Sequence, residues 1–319
     1  MSMSDQMASA GVSKHLSALA ASYKSSMDNY AAEKVAVPLH QTGLVTGNFQ
    51  RNIAGWSDLM SDYRAKNQPA AQLDDENESL VNFAIDDHAV RVYVAERDIM
   101  LRAQAGVSRE RVIENQVRRV TGALMIQREK RLADILTTSG NYNASNSGAV
   151  SNYWTSASGT PIDDVLAAVK QVAQGPAKNS DFFMVADESI WITLMANKQI
   201  KEAIGALAFA ADIETLGKIL HVHPVVCKAT YGNTNRMFGT NAIIFRRPVE
   251  VDPFDEAAEC SWRLVHNTES PVTIRQYTTP DMEDAGFWIQ GSANYQIIQP
   301  YADSSGKINA AYLLTGLTA

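Results

Sequence analysis

One long, uninterrupted helical pattern constrains this chain more than any other feature. Between residues 108 and 138, apolar side chains recur every three or four positions while Arg and Glu fill the opposite side. The recurring residues are Ile113, Val117, Val120, Leu124, Leu132 and Ile135. The pattern predicts a helix of about 30 residues, which at 1.5 Å per residue spans about 45 Å. That length exceeds the needs of a compact domain, so we expect a strut along which other elements pack. An ordinary long surface helix is the alternative.

The chain has enough apolar sequence for a real core. Of its 319 residues, 45 % are hydrophobic, which suits one elaborate domain or two modest ones. No run approaches the roughly 18 apolar residues of a membrane span, and the start lacks the pattern of a signal peptide. We therefore expect synthesis in the cytoplasm and no membrane partner. Cys227 and Cys260 are too few for a disulfide framework, so we expect reduced thiols, with a single bridge as the alternative.

The charge balance argues against a free-standing nucleic-acid binder. The net charge is -7, with 28 Lys and Arg against 35 Asp and Glu, and affinity for phosphates comes from an excess of basic side chains. Mild acidity suits a surface that lies near nucleic acid without adhering to it, and it also describes many soluble proteins.

The first part of the chain carries segments that have little core of their own. Residues 1–34 predict an arm with one amphipathic helix behind a Ser13 N-cap. We expect its apolar stripe to dock either on another subunit or on its own chain. Residues 35–78 contain strand-forming pieces broken by glycines and end in a polar stretch, which predicts a long, poorly self-packed hairpin. Segments of this kind usually contact a partner.

The remainder predicts an α+β fold. Residues 139–160 form a linker rich in Gly, Ser and Asn that closes at Pro161 and predicts a domain boundary. Helical patterns follow at 161–174, 188–205 and 213–220, and strand patterns dominate from residue 221 onward. Helices that cluster early and strands that cluster late are typical of α+β folds.

The sequence lacks the common signatures of catalysis. It contains no phosphate loop, no dinucleotide-binding glycine motif, no zinc-protease motif and no hydrolase nucleophile elbow. We therefore expect neither enzymatic activity nor a cofactor. The alternative from another class is an enzyme with a dispersed site, whose members would be His221, His223 and Asp187.

Two clusters are weak candidates for a metal site. His221 and His223 would face the same way in a strand, but no third ligand lies near them, so we expect ordinary residues at a sheet end. An acidic cluster lacks the ligand spacing of a calcium loop, so we expect a solvated or partner-facing loop tip. Its members are Asp74, Asp75, Glu76 and Glu78.

The long helix is locally basic, which suggests a partner for the acidic loop. If the two lie in different copies of the chain, their ion pairs would orient subunits more than bind them, because exposed pairs contribute about 0–1 kcal/mol each. Unpaired, solvated charges are the alternative. The residues that we expect at such intersubunit contacts are Asp74, Asp75, Glu76, Arg118, Arg119, Arg128 and Glu129.

This order of parts resembles the major capsid proteins of tailed bacteriophages, which have the Hong Kong ninety-seven fold. The long-helix phrase ALMIQREKRLADIL, with Glu129 late in the helix, is similar to the family, as are the later segments LGKILHVHPVVCKATY and NAIIFRRP. The resemblance implies the following division: an N-terminal arm (1–43), an extended loop (44–90), a peripheral domain (91–160) with its spine helix (108–138), an axial domain (161–255), return strands of the peripheral domain (256–300) and a C-terminal segment of the axial domain (301–319).

The resemblance implies a structural function in the virion. Many copies would close into hexamers and pentamers of an icosahedral shell around packaged double-stranded DNA, without sequence-specific contacts. The implied partners are further copies of the chain, a separate scaffolding protein, and portal and head-completion proteins. The alternative within this fold is an encapsulin-type compartment that holds cargo enzymes.

Overall fold

The fold is α+β, as predicted. The computed structural model describes residues 14–22, 30–35, 39–42, 44–53, 78–172, 180–205, 212–232, 235–248, 262–266, 272–278, 286–298, 301–302, 306–308 and 310–318. The helices are α1 (Lys14–Ser22), α2 (Ala32–Val35), α3 (Glu96–Gln104), α4 (Arg109–Thr137), α5 (Pro161–Val172), α6 (Glu188–Ala196), α7 (Lys198–Ile204) and α8 (Ile213–Leu220). The strands are β1 (Leu39–Thr42), β2 (Thr46–Ile53), β3 (Glu78–Ala84), β4 (Asp86–Ala95), β5 (Ser147–Ala149), β6 (Ser180–Asp187), β7 (His223–Cys227), β8 (Thr230–Tyr231), β9 (Asn235–Arg236), β10 (Ala242–Pro248), β11 (Trp262–His266), β12 (Thr273–Tyr277), β13 (Gly286–Ile298), β14 (Tyr301–Ala302) and β15 (Ala311–Thr315). Within these residues, no helix is both long and apolar enough to cross a bilayer.

The predicted long helix is present as α4, a single helix of 29 residues. It begins behind Ser108, whose Oγ accepts a hydrogen bond from the Arg111 N–H at 3.3 Å, an N-cap contact that satisfies one of the unpaired donors of the first turn. Its first two-thirds contribute Val117 and Leu124 to one core, and its last turns contribute Leu132 and Leu136 to another. The helix therefore joins two packed regions, as expected of a strut.

The first region is a sheet that the long helix covers, here called sheet A. Its strand order is β1, β11, β13, β12, and β4 pairs with β13 from Asp86 to Ala95. Gly291 in β13 allows the helix to approach closely, because a Cβ at this position would lie 2.6 Å from Val120 Cγ1. The predicted extended loop, residues 44–90, thus ends inside a strand of this sheet. The division into loop and peripheral domain at residue 90 came from the resemblance and stays a prediction.

The second region is sheet B, with strand order β5, β15, β10, β6, β7. Helices α5 to α8 pack on it around the buried Trp191 and Leu216. The predicted helix 188–205 is split at Asn197, whose Oδ1 accepts hydrogen bonds from the Gln199 and Ile200 N–H groups and starts α7.

The segment 139–160, predicted as a linker, is instead part of the packed structure around sheet B. Tyr142 and Trp154 are both buried, and β5 pairs in parallel with the C-terminal strand β15. Small polar residues suggested a solvated connection, but two large aromatic side chains anchor it in the cores. The Trp154 indole N–H donates to Asp164 Oδ2 at 2.8 Å.

A hairpin is present, formed by β2 and β3 in antiparallel register from Thr46 with Ala84 to Asn52 with Glu78. Its second strand begins at residue 78, where the sequence predicted that the hairpin would end. Its base is closed by a hydrogen bond from the Ile85 N–H to the Val45 carbonyl at 2.8 Å. The short strand β14 pairs with β2. The side chains of Leu44 and Val45, beside the hairpin base, are exposed, which agrees with a segment that has little core of its own.

Candidate functional site

Two of the predicted intersubunit residues lie on the surface of the long helix. Arg118 and Arg119 are exposed, and Arg111 is exposed two turns before Arg118 on the same face. Their proposed partners Asp74, Asp75 and Glu76 lie outside the described residues. The pairing of this basic face with the acidic loop of another copy therefore stays a prediction.

The other two, Arg128 and Glu129, are buried within the chain. Arg128 is 5 % exposed and its Nη2 lies 3.1 Å from Met125 Sδ, while Glu129 is fully buried. Side chains enclosed in this way offer no surface to a neighbouring subunit, so their prediction as intersubunit contacts is corrected. We predicted both residues at the charged surface of the helix because the sequence shows that they are charged but does not show that they are buried.

Glu129 holds the N-terminal segment against the long helix. Its Oε1 accepts a hydrogen bond from the Ala31 N–H at 2.8 Å, and its Oε2 accepts one from the Ala32 N–H at 2.7 Å. These are the first donors of the short helix α2, and Ala31 has no side-chain oxygen with which to cap it. The carboxylate thus serves as the helix cap from a position almost 100 residues away.

The same carboxylate reaches sheet B through a thiol. Cys227 Sγ, at the end of β7, donates to Glu129 Oε1 at 3.2 Å. Cys227 is a free, buried cysteine, as expected from the sequence, whereas Cys260 lies outside the described residues. One side chain therefore connects the N-terminal segment, the long helix and sheet B.

A second buried carboxylate, Asp187, interacts electrostatically with Cys227. Asp187 is fully buried, and its Oδ2 accepts a hydrogen bond from the Phe238 N–H at 3.0 Å. Its Oδ1 makes no hydrogen bond to any described residue. We call Glu129, Asp187 and Cys227 the buried acid junction.

Burial dominates the electrostatics of this junction. It raises the pKa of Glu129, although the Ala32 N–H, the Cys227 thiol and the Ala31 N–H oppose the rise. Burial likewise raises the pKa of Asp187 against the hydrogen bonds from Phe238 and Gly239. The pKa of the Cys227 thiol is raised by burial and further by the charge of Glu129. All three groups therefore favour their protonated forms more than they would in water.

The two histidines considered as a metal pair do not share a strand face. His221 ends α8 in the left-handed conformation with φ 56°, and His223 begins β7, where its Nε2 lies 3.4 Å from Asp181 Oδ2. Both line an open cavity of about 350 Å³ together with Lys218 and Glu214. No group of three metal-binding side chains occurs in the part of the chain that the structure describes. Asp187, the third member of the alternative enzyme site, does not line this cavity and belongs to the buried acid junction.

Large apolar side chains are exposed at several places on the surface. Met100 and Leu101 are 65 % and 54 % exposed on α3, the helix that the Arg109 to Glu96 ion pair ties to the start of the long helix. Ile192 on α6 is 60 % exposed. Such side chains are candidates for coverage by a neighbouring molecule.

The sequence of this chain matches no known family, whereas its fold matches solved structures. No family model matches the sequence, and a search of curated proteins finds no match. Solved structures match along nearly the whole chain. A phage-related protein from Bordetella bronchiseptica superposes with a TM-score of 0.70 at 15 % identity, covering 97 % of this chain and 98 % of that one. The capsid structure of cyanophage P-SCSP1u superposes with a TM-score of 0.52 at 12 % identity, covering 90 % and 88 %.

The chain has the Hong Kong ninety-seven fold. A virus-like particle protein from Pyrococcus furiosus is also similar, with a TM-score of 0.52 at 13 % identity and coverage of 94 % and 98 %. The fold of this chain comprises sheet A, the long helix, the β2–β3 hairpin and sheet B. Structural similarity at such low sequence identity establishes the fold and does not by itself establish the function.

Sequence reasoning named Glu129 and Cys227 separately and missed the junction that they form. One signal was available: Met125, Glu129, Leu132 and Leu136 recur at steps of three or four, so Glu129 lies on the apolar side of the helix. An acid on that side predicts a buried carboxylate with partners. The identity of those partners required the tertiary structure.

Proposed function

We propose that this protein is the major capsid protein of a tailed bacteriophage, and that its copies assemble as hexamers and pentamers into an icosahedral head shell. The observation that carries the proposal is the chain-long similarity of fold to phage proteins, including the capsid structure of a cyanophage. A shared fold does not by itself fix the function, so the surface of this chain must also suit a shell subunit.

The surface gives that support at the β2–β3 hairpin. The hairpin pairs with itself and with the two-residue strand β14, and the side chains of Leu44 and Val45 near its base remain exposed. Two-stranded hairpins are marginally stable in water unless something packs on them. A neighbouring copy in a shell would cover this segment, together with the exposed apolar residues of α3.

The proposal includes partners and location. The shell encloses double-stranded DNA without reading its sequence, which suits a chain of net charge -7. A separate scaffolding protein guides assembly, and portal and head-completion proteins occupy one vertex. The chain is made in the cytoplasm of the bacterial host and functions in the virion as a structural protein without catalytic activity.

Size-exclusion chromatography of the purified chain tests the proposal, with and without a candidate scaffolding protein. Capsomer rings or shells of megadalton size are expected, because each subunit contacts the next through a heterologous contact whose rotation closes. A monomer or dimer under every salt condition and with every candidate scaffold would contradict it.

The contents of the particles distinguish the phage shell from a cargo compartment. Particles recovered from phage-infected cells are expected to protect double-stranded DNA from nuclease. Particles without DNA that carry one enriched enzyme would instead support an encapsulin-type compartment.

A further inference from the structure

Sheet A has two faces, and the helices α1, α3 and α4 pack on one of them. The core that they form with the sheet contains Val94, Ile274, Phe287 and Ile289. Residues directly opposite one another on antiparallel strands share a face of the sheet, whereas neighbours along a strand lie on opposite faces. The residues that alternate with these core residues therefore lie on the other side, here called the far face. Its central residues are Arg91, Tyr93, Arg275, Tyr277, Trp288 and Gln290.

The far face carries a row of aromatic residues beside a row that contains two arginines. Both rows cross the strands β4, β13 and β12. Contacts join the two rows: Arg91 Cζ lies 4.5 Å from the centre of the Trp288 ring, and the Tyr277 hydroxyl donates to Gln290 Oε1 at 3.2 Å. The aromatic row is Tyr93, Trp288 and Tyr277, and the arginine row is Arg91, Gln290 and Arg275.

The hydrophobic cores of the described residues include none of the three aromatic residues of the far face. Arg91 is exposed and Arg275 partly exposed, and neither forms an ion pair with a described residue. Arg275 Nε is buried without a hydrogen bond to any residue that the structure describes. Tyr, Trp and Arg are the side chains that contribute most at protein interfaces. The composition of the far face is therefore that of a binding surface.

The charge of the far face favours an acidic partner. Its two rows contain two arginines and no acid. The next acid on the same side of β4 is Asp87, four residues from Arg91 and thus about 13 Å away along the strand. Guanidinium groups form strong, charge-assisted hydrogen bonds with carboxylates.

A protein segment suits this face better than a nucleic acid does. Nucleic acids bind through many phosphate contacts and through bases that stack on open aromatic rings. The two rows offer only two cations, and the Trp288 ring already contacts Arg91 and, at 5.2 Å between ring centres, Tyr93. The net charge of -7 also opposes the approach of a polyanion.

The spacing of the arginines defines the segment that would reach both of them. Arg91 and Arg275 each stand opposite Gln290, so their Cα atoms are two strand spacings, or about 10 Å, apart. An extended chain covers about 10 Å in three residues. We propose that the far face of sheet A binds an acidic segment of another protein, which lies extended across β4, β13 and β12 with carboxylates three residues apart on Arg91 and Arg275. This site lies within one chain and does not depend on the proposed shell.

Fluorescence anisotropy with two labelled eight-residue peptides tests the proposal on the full chain at low salt. One peptide contains Glu-Leu-Pro-Glu between Gly-Ser and Ser-Gly ends, and the other has the same composition with the acids adjacent, as Leu-Glu-Glu-Pro. We expect the first peptide to bind at least about fivefold more tightly, because only its carboxylates match the spacing of the arginines. A labelled ten-nucleotide strand of thymidines is the nucleic-acid probe.

Substitutions assign the binding to the far face. Arg91→Gln and Arg275→Gln should each weaken binding of the first peptide by about tenfold, the loss expected for a charge-assisted hydrogen bond. Lys198→Gln removes the same charge from an exposed position on α7 and should change the Kd by less than about twofold. If Arg275→Gln fails to fold, the exposed Arg91→Gln still decides the matter.

Neutralising the acids of the segment between β12 and β13, which lie outside the described residues, tests whether this chain supplies its own partner. With Asp281→Asn, Glu283→Gln and Asp284→Asn together, the Kd of the first peptide should change by less than about twofold. A rise in affinity of about tenfold would mean that these acids already occupy the arginines, and would overturn the proposal. Equal binding of the two peptides would also overturn it, as would tighter binding of the thymidine strand that Arg91→Gln abolishes.

Discussion

At the scale of single residues, the Glu129 carboxylate supplies a helix cap that the local sequence lacks. Both of its oxygens accept backbone N–H groups at hydrogen-bond distances below 3 Å, and the surrounding core excludes water. Buried donors that lose such an acceptor cannot turn to solvent without opening the core. Glu129 is therefore a positional anchor.

Glu129→Ala should lower the free energy of unfolding by about 2–4 kcal/mol, because two buried N–H groups lose their acceptor. Urea denaturation measures the change. Glu110→Ala, which removes an exposed acid from the same helix, should stay within about 0.5 kcal/mol of the unaltered chain. Equal and small effects for the two variants would show that the N-terminal segment does not need its anchor.

The sequence of the long helix predicts which of its residues are buried, but not what they contact. The helical spacing correctly predicts buried Val117, Val120, Leu124 and Leu132, because periodicity encodes which face is apolar. The acceptor role of Glu129 could not be predicted, since its donors lie 97 and 98 residues away and are backbone groups of two alanines. Nothing in an alanine side chain indicates such a contact.

At the scale of elements, the long helix depends on its close approach to sheet A. A Cβ at position 291 would lie 2.6 Å from Val120 Cγ1 and 3.2 Å from Leu124 Cδ1, both within the packed core. At Gly122 in the helix itself, an added Cβ meets nothing within 4 Å. Substitutions at Gly291 and Gly122 therefore compare a crowded position with an open one.

Gly291→Ala should destabilise the fold by about 1–3 kcal/mol through overpacking, whereas Gly122→Ala should stabilise it by up to about 1 kcal/mol through helix propensity. Urea denaturation midpoints give both values. The same sign for the two substitutions would mean that the helix does not rest on β13 as described.

The β2–β3 hairpin can be removed without cutting either sheet. Because the Ile85 N–H already bonds to the Val45 carbonyl, an Asn-Gly turn can replace residues 46–84 and leave β4 intact. We expect a folded, soluble protein that forms no shells and has a slightly lower melting temperature, because Phe83 packs with Ile85 and Ile298. Normal particles from this variant would show that the hairpin has no part in assembly.

Element types and order were largely predictable, and element boundaries were not. The helices α4, α5 and α8 follow periodic patterns, and Ser108 and Asp212 cap α4 and α8. The split at Asn197 and the packed segment around Trp154 were missed, because an Asn inside a helical pattern and a polar stretch with one Trp take their structure from tertiary contacts. The Asn197 Nδ2 donates to the Trp154 carbonyl at 2.9 Å.

At the scale of the whole molecule, the exposed basic face of the long helix should serve assembly and not folding. Reversing charge with Arg118→Glu and Arg119→Glu should change the free energy of unfolding by less than about 1 kcal/mol in total and should reduce the yield of shells. Lys198→Glu with Lys201→Glu makes the same change of net charge at exposed positions on α7. Equal loss of shells in the two variants would assign the effect to net charge and remove the long-helix face from the interface.

Electron microscopy of particles formed by the purified chain, with a candidate scaffolding protein where one is needed, is the decisive experiment. We expect closed shells whose hexamers and pentamers are built from this chain alone. In the reconstructed density, the β2–β3 hairpin and the exposed apolar residues of α3 should lie against neighbouring copies. Compact single chains, or shells in which both segments face solvent, would contradict it.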